Sequence, residues 1–197
     1  MTRISKLPVD QWDPDLRAQF AADEATALEQ GAMRIYAHRP AIAKGLIALG
    51  GGIKRGGTLP PRLIELVRLR VAFHNQCRSC LAIRYRDAVE DGVDENLVCS
   101  LEKPSEAPDL TEAERAALAY ADRFATDHLS IDDAMIDRLR GHFDEGEIVE
   151  LASWIAFCVG FGRLGAVLHM VEEIPEEFAS DSAGPITPWA GTPVLVR

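Results

Sequence analysis

The residues in this chain whose types and spacing fit catalysis are concentrated in the segment NQCRSCLAIRYRD, where Cys77 and Cys80 form a Cys-x-x-Cys pair. That spacing serves a metal site, a dithiol–disulfide couple, or simple packing. The segment reads as the start of a helix, with Asn75 as N-cap and Gly92 as its stop. Cys77 then falls in the first turn, where unpaired backbone N–H groups and the helix dipole favour a thiolate. Positions three and four apart share a helix face, so Cys77, Cys80, Arg84 and Asp87 are expected in one stripe. Arg84 would add a fixed positive charge beside Cys80, and all of this favours redox-active thiols.

The alternatives draw on fewer residues. His74, Cys77 and Cys80 supply three metal ligands where a structural zinc needs four, and Cys99 and Cys158 stand alone. No metal or cofactor is therefore expected. Two cysteines packing in a core is the ordinary reading, because free cysteine is often buried. A redox pair also needs a proton acceptor, and Arg84 stays protonated at physiological pH. Glu65, His74 or the Tyr85 hydroxyl would have to serve instead. Glu65 has an innocent reading as a surface carboxylate paired with Arg68.

Helices must position these groups, and the pattern is helical nearly throughout, with no confident strand. Asp13-Pro14 opens a helix running to Gly31, and Pro40 opens a second that GGGIKRGGTLPP is expected to end. Pro60 and Pro61 start RLIELVRLRVAFH. TEAE (111–114) and DEGE (144–147) read as capping boxes, the second launching the longest helix, to about Glu172. GFGRLG (160–165) lacks the preceding strand of a dinucleotide site and reads as close helix packing. The tail SDSAGPITPWAGTPVLVR reads as an extended arm, lying on a neighbouring surface or flexible.

With 197 residues and 47% apolar composition, the chain suits one domain with extensions. A net charge of −10 argues against nucleic acid and anionic membranes as partners. LASWIAFCVGFG is too short to cross a bilayer, and the N-terminus lacks a signal-peptide pattern. The chain reads as cytoplasmic, with reduced thiols at rest.

Glu65 stands eleven residues before Cys77, and Cys80 completes the pair. In this the chain resembles the carboxymuconolactone decarboxylase superfamily, and within it the alkylhydroperoxidase D (AhpD)-like branch, whose motif is Glu, eleven residues, Cys-x-x-Cys, three residues, His. GTLPPRLIELVRLRVA, LTEAERAALAYADRF and DEGEIVELASWIAF carry the likeness from about Tyr36 to Glu172. The resemblance implies an all-α, AhpD-like single domain over 36–175, an N-terminal helical extension over 1–35 and a C-terminal arm over 176–197.

It also implies a thiol-dependent peroxidase or disulfide oxidoreductase, with Cys80 attacking the peroxide, Cys77 resolving it and Glu65 beginning a proton relay. Arg84, in the motif's histidine position, becomes an electrostatic aid and leaves His74 as a candidate in the relay. The expected partners are a peroxide or disulfide substrate, a thiol reductant and further copies of the chain, as dimer, trimer or hexamer. A lactone-decarboxylating lyase that grips substrate carboxylate through Arg84, and a non-catalytic helical oligomer, are the alternatives.

Overall fold

Prolines and short polar caps mark most helix starts in the computed structural model, which describes residues 2–171, 173–179, 185–188 and 191–197. In chain order the helices before the cysteines are α1 (Pro14–Phe20), α2 (Ala27–Gln30), α3 (Met33–Tyr36), α4 (Pro40–Gly56) and α5 (Pro61–Asn75). The cysteine region holds α6 (Arg78–Leu81), β1 (Ile83–Tyr85) and α7 (Arg86–Glu90). Then come α8 (Glu95–Cys99), α9 (Glu112–Thr126), α10 (Asp133–Arg140), α11 (Glu145–Val167), α12 (Glu176–Ala179) and β2 (Val194–Val196). The fold is all-α, apart from a two-stranded parallel ladder that pairs Ile83 with Val194 and Tyr85 with Val196.

Helix α5 is the axis of the fold. It packs against α9 and α11, which is why Leu66, Val67, Leu69 and Val71 are all fully buried. The indole of Trp154 pins α11 to it by donating to the Ile64 carbonyl at 2.9 Å. A smaller cluster of Trp12, Leu16, Ala22, Ala37 and Ala43 seats the N-terminal segment on α4. Both expected capping boxes form, at Thr111/Glu114 and Asp144/Glu147. A third, Thr26/Glu29, opens α2.

Four expectations change. The first helix does not reach Gly31: Ala21 turns left-handed (φ 52°) and ends α1 at Phe20. The glycine run does not stop α4, which continues to Gly56 with Ile53 buried on its inner side. The longest helix ends at Val167, and Glu172 lies outside the described residues. That helix, Glu145–Val167, is long and apolar enough to cross a membrane by length and composition, though the shorter run inside it was expected to exclude this.

The largest change is at the cysteines. The single helix expected from Asn75 to Gly92 is instead α6, β1 and α7 in succession. Asn75 is the last residue of α5 rather than an N-cap, and Gln76 follows it in the left-handed region (φ 51°). The described part of the arm lies on its own chain, since β2 pairs with β1; Trp189 is outside the described residues.

Candidate functional site: a Cys-x-x-Cys turn at the end of a buried helix

The left-handed turn at Gln76 reverses the chain, and its N–H closes onto Phe73 O while that of Cys77 closes onto Ala72 O. Cys77 thereby becomes the N-cap residue of the one-turn helix α6. Cys77 and Cys80 are joined as a disulfide, with Cα atoms 5.2 Å apart. The two residues differ in exposure. Cys77 is buried, 1% exposed, while Cys80 is partly exposed.

Gly165 explains part of that burial, because a Cβ there would lie 3.4 Å from Cys77 Sγ. One turn earlier, Gly162 lets Asn75 approach so closely that a Cβ would sit 2.6 Å from its Nδ2. Gly162 and Gly165 of GFGRLG therefore serve close packing of α11 on the cysteine turn, as expected from the missing strand, while Gly160 faces open space. Asn75 completes this contact by donating to Cys158 O at 2.9 Å and accepting from Arg163 Nε at 3.1 Å.

Glu65 does not lie on the surface; it is 1% exposed. The interior position follows from α5 being enclosed by α9 and α11. Arg68 donates to both its carboxylate oxygens, at 2.6 and 2.7 Å, and the Tyr85 N–H approaches at 3.3 Å. The other donors of Arg68 hold Cys80 O at 2.6 Å and Ile83 O at 2.9 Å. Burial opposes the charge on Arg68, but Glu65 beside it outweighs burial and raises its pKa further. The pair thus joins Glu65 to the backbone of the cysteine turn through a cation that stays protonated and cannot act as a proton acceptor.

Arg84 does not share a face with the cysteines, because β1 interrupts the helix that would have aligned them. It is buried, 2% exposed, and its five N–H donors are all spent. Nε and one terminal nitrogen hold Glu95 at 2.9 and 3.0 Å, and the remaining donors bond Leu81 O, Ile83 O and Pro188 O. None is left for a thiolate or a substrate anion.

His74 is also committed elsewhere. Its Nε2 lies 2.7 Å from Asp122 Oδ1 on α9, a carboxylate that Arg70 also holds. Tyr85 lines a pocket beside Glu65 with Lys54, Leu59, Ile64 and Asp87. Burial raises the Tyr85 phenol and, with the opposite sign, lowers the Lys54 ammonium, which sits 3.3 Å over the Tyr85 ring. Burial pushes the Cys158 thiol up to about 12, which disfavours its thiolate.

The structure therefore brings Cys77, Cys80 and, through Arg68, Glu65 together, and leaves His74 and Arg84 to other partners. Arg68 and Gln76 are the residues that sequence reasoning missed as parts of the site. An arginine within the apolar run LIELVRLRVA was a usable signal for the first. No local signal marks the second.

Comparison with known proteins places this geometry. Residues 40–123 match the carboxymuconolactone decarboxylase family. The uncharacterized protein Rv2313c of Mycobacterium tuberculosis is 36% identical over 101 residues, half of this chain. The chain spans about a third, 35%, of the length of such curated relatives. Among solved structures, a protein of unknown function from Agrobacterium tumefaciens, grouped with the antioxidant defence protein AhpD, is 25% identical, with a TM-score of 0.60 over 71% of this chain and 94% of that one. The alkylhydroperoxidase AhpD core of an uncharacterized peroxidase-related protein from Ralstonia eutropha superposes with a TM-score of 0.72 over 90% of this chain and 94% of that one, at 17% identity. Residues 40–123 thus resemble the carboxymuconolactone decarboxylase family, and the chain shares the fold of the AhpD-like structures.

Proposed function

We propose that this protein is a thiol-dependent peroxidase working through Cys80 and Cys77. The Cys77–Cys80 disulfide, between one buried and one partly exposed cysteine, carries the reading. The Cys80 thiolate attacks one peroxide oxygen, the O–O bond breaks, and the departing oxygen takes a proton and leaves as alcohol or water. Cys77 then attacks the Cys80 sulfenic acid, the S–S bond forms, and the hydroxyl leaves as water. An external dithiol reduces the disulfide and is itself oxidised. The buried Cys77 suits resolution of its neighbour, and the partly exposed Cys80 suits attack on a diffusing substrate.

Glu65 acts on this chemistry through Arg68, whose hold on Cys80 O sets the turn; Arg84 acts as a structural anchor. Copies of the chain associate through the exposed side of α11, where Val149 and Val167 stand 65% and 58% exposed. The deciding experiment follows peroxide consumption with a chemical dithiol as reductant. Cys80→Ser abolishes turnover, and Cys77→Ser, given peroxide without reductant, stops at the Cys80 sulfenic acid with no disulfide; turnover retained in Cys80→Ser removes the proposal. A lyase would instead use Lys54 beside Glu65 to hold a substrate carboxylate, and its turnover would survive alkylation of both thiols.

A further inference from the structure

The residues flanking the cysteine pair share a second property: nearly all of them hold the C-terminal arm. Gln76, just before Cys77, donates to Ile186 O at 3.1 Å and accepts from Ile186 N–H at 2.8 Å. Arg78, between the cysteines, donates to Ala179 O at 3.1 Å. Ala82 O accepts from the Val194 N–H at 2.8 Å, and β1 continues the contact by pairing with β2. Arg84 donates to Pro188 O at 2.6 Å. The chain end is held as well, because the Arg197 N–H and guanidinium both reach Glu29.

The arm also supplies apolar cover. Phe178 and Ile186, 1% and 7% exposed, are buried in one cluster with Ala72, Leu81 and Ala82, and Cys80 packs against that cluster. Five hydrogen bonds to the arm's backbone and two buried side chains make this a built contact. A tail draped over the surface would bury neither Phe178 nor Pro188.

We infer that the described part of the C-terminal arm (residues 176–179, 185–188 and 191–197) is a specificity element of the cysteine site: docked on Gln76, Arg84 and β1, it limits the approach of bulky reactants to Cys80 and leaves it open to small ones. Resting on the peroxidase reading above, this makes reactant size what the arm selects at Cys80. A protein reductant would reach the disulfide only when the arm undocks. The arginine in place of the motif histidine then has a physical role, since its guanidinium ties the arm to the strand that follows the cysteines.

The test needs no peroxide and uses the full-length, reduced protein. Alkylation of Cys80 by iodoacetamide and by a maleimide carrying a long polyethylene glycol chain is measured by peptide mass mapping, with exposed Cys99 as the internal reference. Two variants loosen the arm. Gln76→Gly removes both bonds to Ile186 at a backbone angle that favours glycine, so the fold is kept. Val194→Pro removes the N–H bonded to Ala82.

In the unaltered protein Cys80 takes the small probe but lags Cys99 with the large one. Each variant raises the large-probe rate at Cys80 about tenfold, the equivalent of about 1.4 kcal/mol in the docking equilibrium, while Cys158 stays unlabelled. Equal reactivity of Cys80 and Cys99 toward the large probe, or a ratio that both variants leave unchanged, overturns the inference. A ratio that rises only together with Cys158 labelling also overturns it, because general unfolding would then be what exposes Cys80. If access responds as expected while peroxide leaves Cys80 untouched, the peroxidase reading fails and the arm's role stands.

Discussion

Arg68 and Glu65 face each other three residues apart on α5 as a buried two-pronged ion pair, 2.6 and 2.7 Å long, and the same guanidinium holds the carbonyl of Cys80. A carboxylate so engaged works as a clamp on the turn. Removing one member strands the other in the core, which costs about 3–5 kcal/mol, whereas replacing both with apolar groups of similar size is close to neutral. Arg68→Met should therefore lower the urea midpoint sharply and slow thiol chemistry with it. Glu65→Leu combined with Arg68→Met should recover most of the stability without restoring the hold on Cys80 O. A loss below about 1 kcal/mol in Arg68→Met, the range of solvated pairs, would show that the pair is wet and the clamp absent.

The glycines of α11 should differ in a graded way. A methyl at Gly162 meets the Asn75 amide at 2.6 Å, and Asn75 is itself bonded to Cys158 O and Arg163. At Gly165 the nearest atom is the end of Met170, a flexible side chain that gives way, with Cys77 Sγ next. Gly162→Ala should cost about 1–3 kcal/mol, the usual range for overpacking, and Gly165→Ala less. Thermal unfolding of the two variants checks the order; an equal or reversed ranking would show that the Asn75 contact is not the constraint.

What was legible in the sequence was local. The capping boxes at Thr111 and Asp144 close within four residues, so their letters suffice. The cysteine helix was misread because one residue, Gln76, adopts a left-handed angle that its type does not announce. Arg84 was misassigned because its decisive partners, Glu95 and Pro188, lie 11 and 104 positions away. The burial of Glu65 was not legible without the motif spacing for a related reason: a charge on a helix is ordinarily solvated, and the packing of α9 and α11 around α5 makes this one interior.

Acid should weaken the fold through Asp122. Burial alone would raise its pKa, but hydrogen bonds from His74 and Arg70 outweigh burial and hold it below the ordinary value of 3.8. A carboxylate lowered on folding adds stability above its unfolded pKa and loses it as pH falls through the folded one. Asp122→Asn should accordingly cost about 1.5–3 kcal/mol near neutrality, the range for charge-assisted hydrogen bonds. The gap from the unaltered protein should close as the pH drops below 3.8. Urea midpoints measured across that range decide it, and a gap that stays constant into acid would locate the effect in packing.

The exposed side of α11 gives the last prediction. Val149 and Val167 lie eighteen residues apart, five helical turns at 3.6 residues each, so they share one face with Ala156 and Gly160, both exposed between them. Only 28% of the helix's most apolar stretch is buried within the chain, and an uncovered apolar face of this length calls for a partner. Association through it should be blocked by charge: Val149→Lys with Val167→Lys should shift the protein to smaller species in light scattering while leaving the helical circular dichroism signal intact. An unaltered protein that runs as a monomer at all concentrations, or a double variant whose mass does not change, would show that copies of this chain do not meet on α11.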